Sequence, residues 1–242
     1  MYNNNDSYNV SAPYGQTRIL DTVTMRSMWS KTYGWMALAL VVSAFASYIS
    51  LSTSIFDAIM TSKGLFFGLI IAELVLVFIL ARSIGKLNSM ISFALFMVYA
   101  LLNGVTLSAI LYMYTATSVL STFLITSGMF ATMAFIGFFT KKDLSKFGSI
   151  FMMALVGLIL ASVVNIFLGS PLMYWIVSVA GVIIFCGLTA YDINKFKKLF
   201  EEGSIPDTES ANKVALMAAL SLYLDFINLF IYLLRIIGAR RD

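Results

Sequence analysis

The sequence predicts an all-α integral membrane protein with seven transmembrane helices. Composition is the first reason: the 242 residues are 60% hydrophobic and only 12% charged, whereas a soluble domain is about a quarter charged. The spacing of the charges is the second. None occurs between Lys31 and Asp57, between Lys86 and Lys141, or between Lys146 and Asp192, gaps of 25, 54 and 45 residues. A helical span needs about 20 apolar residues, so the two long gaps hold two helices each. The third reason is that Asp192 and Asp225 each interrupt sequence that otherwise reads as a span.

Residues 1 to 25 begin with Asn3-Asn-Asn-Asp-Ser-Tyr and include Pro13 and Gly15. They lack a basic n-region followed by an apolar h-region, so they read as a polar, flexible cytoplasmic tail and not as a cleavable signal peptide. Residues 26 to 242 form the single seven-helix domain. Arg26 and Lys31 precede the first span, 32–50, with Tyr33 and Trp35 as interfacial aromatics. A loop carrying Asp57 and Lys63 leads to the second span, 64–82, in which Gly64 and Gly68 form a small-xxx-small pair suited to seating a neighbouring helix. The third span, 90–113, contains Asn103, and the fourth covers 119–139. After the basic turn Lys141-Lys-Asp-Leu-Ser-Lys146, spans 148–168 and 172–193 are separated only by Gly169-Ser-Pro171. A long polar connection, Asn194 to Asn212, precedes the seventh span, 213–237.

Lysine and arginine set the orientation. With the N-terminus cytoplasmic, the inner segments hold 12 of the 16 basic residues. Lys63, Arg235, Arg240 and Arg241 remain outside, and this basic C-terminal end is the one feature that opposes the assignment. The net charge of +4 is therefore a topology signal, not a sign of nucleic-acid binding.

Function is carried by the buried acids. An ionised carboxylate alone inside a bilayer costs several kcal/mol, so an intramembrane acid marks a functional site by default. Asp192 lies near the cytoplasmic end of span six, whereas Asp225 is 12 residues beyond Lys213, or about 18 Å along its helix. The two meet only if span seven protrudes into the cytoplasm or span six dips inward. If they meet, they cannot both ionise cheaply, and they share a proton or take up a cation. Ca²⁺ fits, because it prefers oxygen ligands and accepts bidentate carboxylates. Arg82 reads as a snorkelling anchor or as a partner of the acids. Glu73 lies nine residues earlier, about 13 Å deeper, and lines a polar path or is paired out of sight. Asn228 and Asn103 read as interhelical hydrogen-bonding residues or as ligands.

Other chemistries are poorly supported. Histidine is absent and Cys186 is the single cysteine, which removes the usual zinc ligands and any disulfide. A retinal protein needs a lysine in mid-span seven, but Lys213 sits at the edge. An intramembrane aspartyl protease would place its second acid in Gly-x-Gly-Asp, where this chain has Leu222-Tyr-Leu-Asp225. No enzyme activity and no bound cofactor are expected.

Four stretches resemble the Bax inhibitor-1 family, its bacterial branch in particular. They are Arg26-Ser-Met-Trp-Ser-Lys-Thr-Tyr33-Gly34-Trp, Thr140-Lys-Lys-Asp143-Leu-Ser-Lys-Phe-Gly148, Thr189-Ala-Tyr-Asp192-Ile-Asn-Lys, and Ala219-Leu-Ser-Leu-Tyr-Leu-Asp225-Phe-Ile-Asn228-Leu-Phe. The resemblance implies a bundle whose seventh helix is central and wrapped by the other six. It implies a pH-sensitive Ca²⁺ leak channel of the inner membrane, gated by an aspartate pair whose positions match Asp192 and Asp225. A basic residue late in the second helix and a deeper acid on it belong to the same pattern, for which Arg82 and Glu73 are the candidates. The resemblance also implies an alternative, because another bacterial branch modulates a membrane-bound AAA protease: a non-conducting modulator of that kind, a role that residues 1–25 would serve here.

Overall fold

The computed structural model describes residues 14–201 and 207–241, with side chains from residue 25 onward. Eight α-helices account for nearly all of them: α1 (Tyr14–Leu51), α2 (Ser54–Thr61), α3 (Lys63–Ser83), α4 (Ser89–Leu111), α5 (Ala116–Phe139), α6 (Gly148–Leu168), α7 (Pro171–Glu201) and α8 (Thr208–Ile237). All but α2 are long and apolar enough to cross a membrane, with mean hydropathy between 1.7 and 2.7. Helices suit this solvent because they satisfy every backbone polar group internally.

Local sequence decides where the helices start and stop. Asn88 accepts from the Met90 N–H at 2.8 Å, Thr115 from Ser118 at 3.4 Å and Asp207 from Ser210 at 2.7 Å. Each satisfies an otherwise orphaned donor at a helix N-terminus. Gly169 ends α6 in the left-handed region, with φ of 60°, and Pro171 opens α7 two residues later, as a ring locked near helical φ allows.

Burial identifies the centre. Of the apolar window of α8, 67% is buried inside the protein, against 6% for α3 and for α6. Helices α1, α4, α5 and α7 pack directly on α8, while α3 leans mainly on α4 and α6 on α7. The central position expected for the seventh span therefore holds, but four helices form its immediate wall and two flank that wall. Ala215, Ala218 and Ala219 are fully buried on α8, and the Thr32 hydroxyl on α1 reaches the Ala215 carbonyl at 3.3 Å.

Four sequence expectations need correction. The first helix begins well before residue 32, and Trp29 is a core residue stacked edge-on against Phe138 and Phe200 with ring centroids 5.8 and 4.8 Å apart. Residues 1–13 of the expected tail lie outside the described residues. The loop after span one contains the short helix α2, whose buried Ile59 anchors it. The connection from Asn194 to Asn212 is largely helical, because α7 runs to Glu201 and α8 starts at Thr208. Finally, no neighbouring helix approaches Gly64 or Gly68. The close approaches occur instead at Gly104, against the backbone of Ser43, and at Gly137, against the backbone of Ala190.

Candidate functional site

The extension of α7 and α8 solves the depth problem posed by the two aspartates. Asp192 sits nine residues before the end of α7, and the Ser221 hydroxyl that faces it sits 13 residues into α8. At 1.5 Å per residue these are about 14 and 20 Å, so α8 projects further on that side and brings its acid level with α7. Ser221 and Asp225 are four residues apart and share one face of α8. Asp225 therefore lies about one helical turn beyond the Ser221 hydroxyl that faces Asp192.

Both are sealed from solvent, Asp192 at 9% exposure and Asp225 at 5%. Asp225 Oδ2 is buried with no hydrogen-bond partner among the described residues. Thr189 donates to the Phe185 carbonyl at 2.8 Å, and Asn228 Nδ2 donates to the Leu224 carbonyl on its own helix at 2.8 Å. The amide nitrogen of Asn228 is thus spent on its own helix.

Glu73 and Arg82 do not join the aspartates. Glu73 Oε1 accepts from the Thr106 hydroxyl, and Oε2 accepts from Asn103 Nδ2 at 3.3 Å. Asn103 Oδ1 accepts from the Tyr223 hydroxyl at 3.0 Å, and that hydroxyl lies 2.7 Å from Ser43 Oγ. A polar chain therefore runs from α3 through α4 to the central helix and on to α1, reaching α8 two residues from Asp225. Tyr223, Thr106 and Ser43 are the members that sequence reading missed; for Tyr223, its position two residues before Asp225, in a span already carrying an acid, was the available signal. Arg82 is exposed at the end of α3, a helix outside the wall of α8, and makes no ion pair among the described residues.

A cavity of about 440 Å³ opens among α1, α4, α5 and α8, with Ser43 and Phe226 among its lining residues. Its far rim carries Tyr114 and Arg241. On the opposite side, the end of α5 is clamped to α7. Asn194 Nδ2 donates to the Gly137 carbonyl at 3.3 Å, Lys197 Nζ to the Phe138 carbonyl at 2.9 Å, and Lys198 pairs with Asp143 in the following turn.

The Lys198 ammonium beside it, with help from the Ser145 N–H, holds the Asp143 carboxyl well below the usual carboxylate range. A depressed folded-state value gives stability that is present above the ordinary carboxylate range and lost only as pH falls through the lowered value. The clamp is therefore constant between pH 5 and 8. Asp143→Asn is expected to leave any pH response in that window unchanged, as thermal melts across the window would check. A changed slope between pH 5 and 8 would contradict this.

Fold and site define a seven-helix membrane protein with two buried carboxylates, Asp192 on α7 and Asp225 on the central α8. The model of the family described as inhibitor of apoptosis-promoting Bax1 matches residues 25–242, and the chain belongs to that family. Among its relatives, the inner membrane protein YbhL of Escherichia coli is 45% identical over 218 residues, covering 90% of this chain and 93% of the relative. An uncharacterized protein of Borreliella burgdorferi is 42% identical, covering 88% of this chain and 92% of its own length. Another from Deinococcus radiodurans is 39% identical, with 94% and 95% covered.

Proposed function

We propose that this protein is a pH-sensitive Ca²⁺ leak channel of the inner membrane, gated by protonation of the Asp192–Asp225 pair. The observation that carries the reading is the sealed position of the two acids on α7 and α8, with Asp225 Oδ2 left without a partner. A purely structural acid would have its oxygens satisfied, because an orphaned buried acceptor costs about 1–3 kcal/mol. A shared proton bridges the pair in one state; in the other, the ionised pair repels or receives a cation. Ca²⁺ takes about six to eight oxygens, more than these carboxylates and Ser221 supply, so the ion keeps part of its water and does not stay. The chain is multi-pass with its N-terminus in the cytoplasm, the side that collects 12 of the 16 basic residues.

The test is Ca²⁺ flux from dye-loaded liposomes between pH 5 and 8. Wild type is expected to show a pH-dependent leak whose pH response disappears in both Asp192→Asn and Asp225→Asn. Flux absent from correctly folded wild type at every pH would sink the channel reading and favour a non-conducting modulator of a membrane-bound AAA protease acting through residues 1–25.

A further inference from the structure

The three arginines that oppose the orientation rule have a structural explanation. After α8 the chain is pinned along the α4–α5 turn: Thr115 N–H donates to the Ala239 carbonyl at 3.1 Å, Ala239 N–H to Ser118 Oγ at 3.0 Å, and Arg241 N–H to the Met113 carbonyl at 2.9 Å. Tyr114 and Arg240 form an antiparallel bridge there. In extended backbone, successive side chains point to opposite sides. Arg241 accordingly lies over the Tyr112 ring at 5.6 Å, while Arg240 turns the other way and meets the Tyr114 hydroxyl.

On that other side Arg240 and Arg235 line one cavity of about 500 Å³ between the α6–α7 turn and the end of α8. Asn165, Ser170 and Tyr174 supply further polar groups, and no carboxylate among the described residues lines it. Asn165 Oδ1 accepts from the Ser170 N–H at 3.1 Å, which leaves its amide nitrogen as a donor. The N-terminus of the 31-residue α7 opens on the same space and adds the positive end of a helix dipole. Arg235 is fixed between two rings, 5.4 Å from Tyr174 and 5.1 Å from Tyr232. Such contacts hold a guanidinium in place without neutralising it.

We propose that this cavity binds the phosphate headgroup of an anionic phospholipid in the leaflet facing the α6–α7 turn. Two guanidiniums, a helix N-terminus and neutral donors match a phosphodiester, which arginine recognises by paired hydrogen bonds. The surroundings select a lipid over a soluble anion. Ile166, Phe167, Leu168 and Leu172 around the turn are 64–84% exposed and offer an apolar surface for the acyl chains. Bound headgroups would also offset the charge that places these arginines on the side where basic residues are few.

The experiment uses the full chain in neutral detergent, titrated with phosphatidylglycerol or phosphatidylcholine, with retained lipid read by native mass spectrometry. Wild type is expected to retain phosphatidylglycerol preferentially. Each arginine removed weakens retention by about fivefold, the worth of one basic side chain near an anionic surface. Arg240→Gln lies beyond α8 and serves as the variant least able to disturb folding; Arg235→Gln/Arg240→Gln gives the full loss, and Arg241→Gln gives none. Equal retention of both lipids, or undiminished phosphatidylglycerol retention by the folded double variant, would overturn the proposal. Saturation by inorganic phosphate with no lipid preference would assign the cavity to a soluble anion and overturn it equally.

Discussion

Asp225→Leu is expected to raise the stability of the protein while abolishing the pH response of flux. The side chain is 5% exposed and its Oδ2 has no partner among the described residues. An orphaned buried acceptor costs about 1–3 kcal/mol, and leucine keeps the same branched four-atom outline, though bulkier, without it. Asp225→Asn keeps a polar group in the same place and should gain less. Thermal unfolding in detergent gives the answer. A rise of about 1 kcal/mol or more for the leucine variant is the mark of a residue retained for function against stability. A loss of that size in both variants would show the carboxylate to be a structural partner and would remove the ground on which the gate rests.

The largest destabilisation is expected at Gly104. A Cβ placed there would meet Ala46 Cβ and Ser43 Cα at 2.8 Å, and the Ser43 carbonyl more closely still. Backbone on a packed helix cannot rotate away as a side chain can, so Gly104→Val must part α1 from α4. That seam also carries Ser43, which reaches the Ala100 carbonyl at 2.7 Å. Overpacking of this kind costs about 3 kcal/mol, the top of the usual range. Gly68→Ala is the paired control. Nothing lies within 4 Å of that position, so the substitution should be neutral or stabilise by up to about 1 kcal/mol through helix propensity. Comparable losses at both positions would mean that α3 packs through its glycines after all.

The two substitutions at glycine show why spacing alone misleads. Gly64 and Gly68 have the spacing of a packing motif and face no helix, whereas Gly104, within Ala100-xxx-Gly104-xxx-Ser108, and Gly137, with no such partner in sequence, carry the tightest contacts. Small-residue spacing says that a face permits close approach; which face meets another helix depends on the rotation of each helix about its axis. The terminal extensions were hidden for a related reason. Residues 194–201 and 208–212 are polar, so hydropathy stops at the membrane edge, although the helices continue through Phe196 and Phe200, both buried against the rest of the bundle.

By itself the sequence determined the class of the protein, the seven spans, and the identity of the two acids. Each follows from solvation: charges are excluded from long stretches because lipid cannot hydrate them, and an acid that persists inside a span stands out for the same reason. Only the tertiary structure decided that Asp192 and Asp225 are buried on two helices packed against each other, that Glu73 is tied to Tyr223 through Asn103, and that Arg82 is exposed with no ion pair among the described residues. These are matters of depth and rotation between helices distant in sequence, and they are set by the stagger of α7 on α8 and by the side chains at the seams.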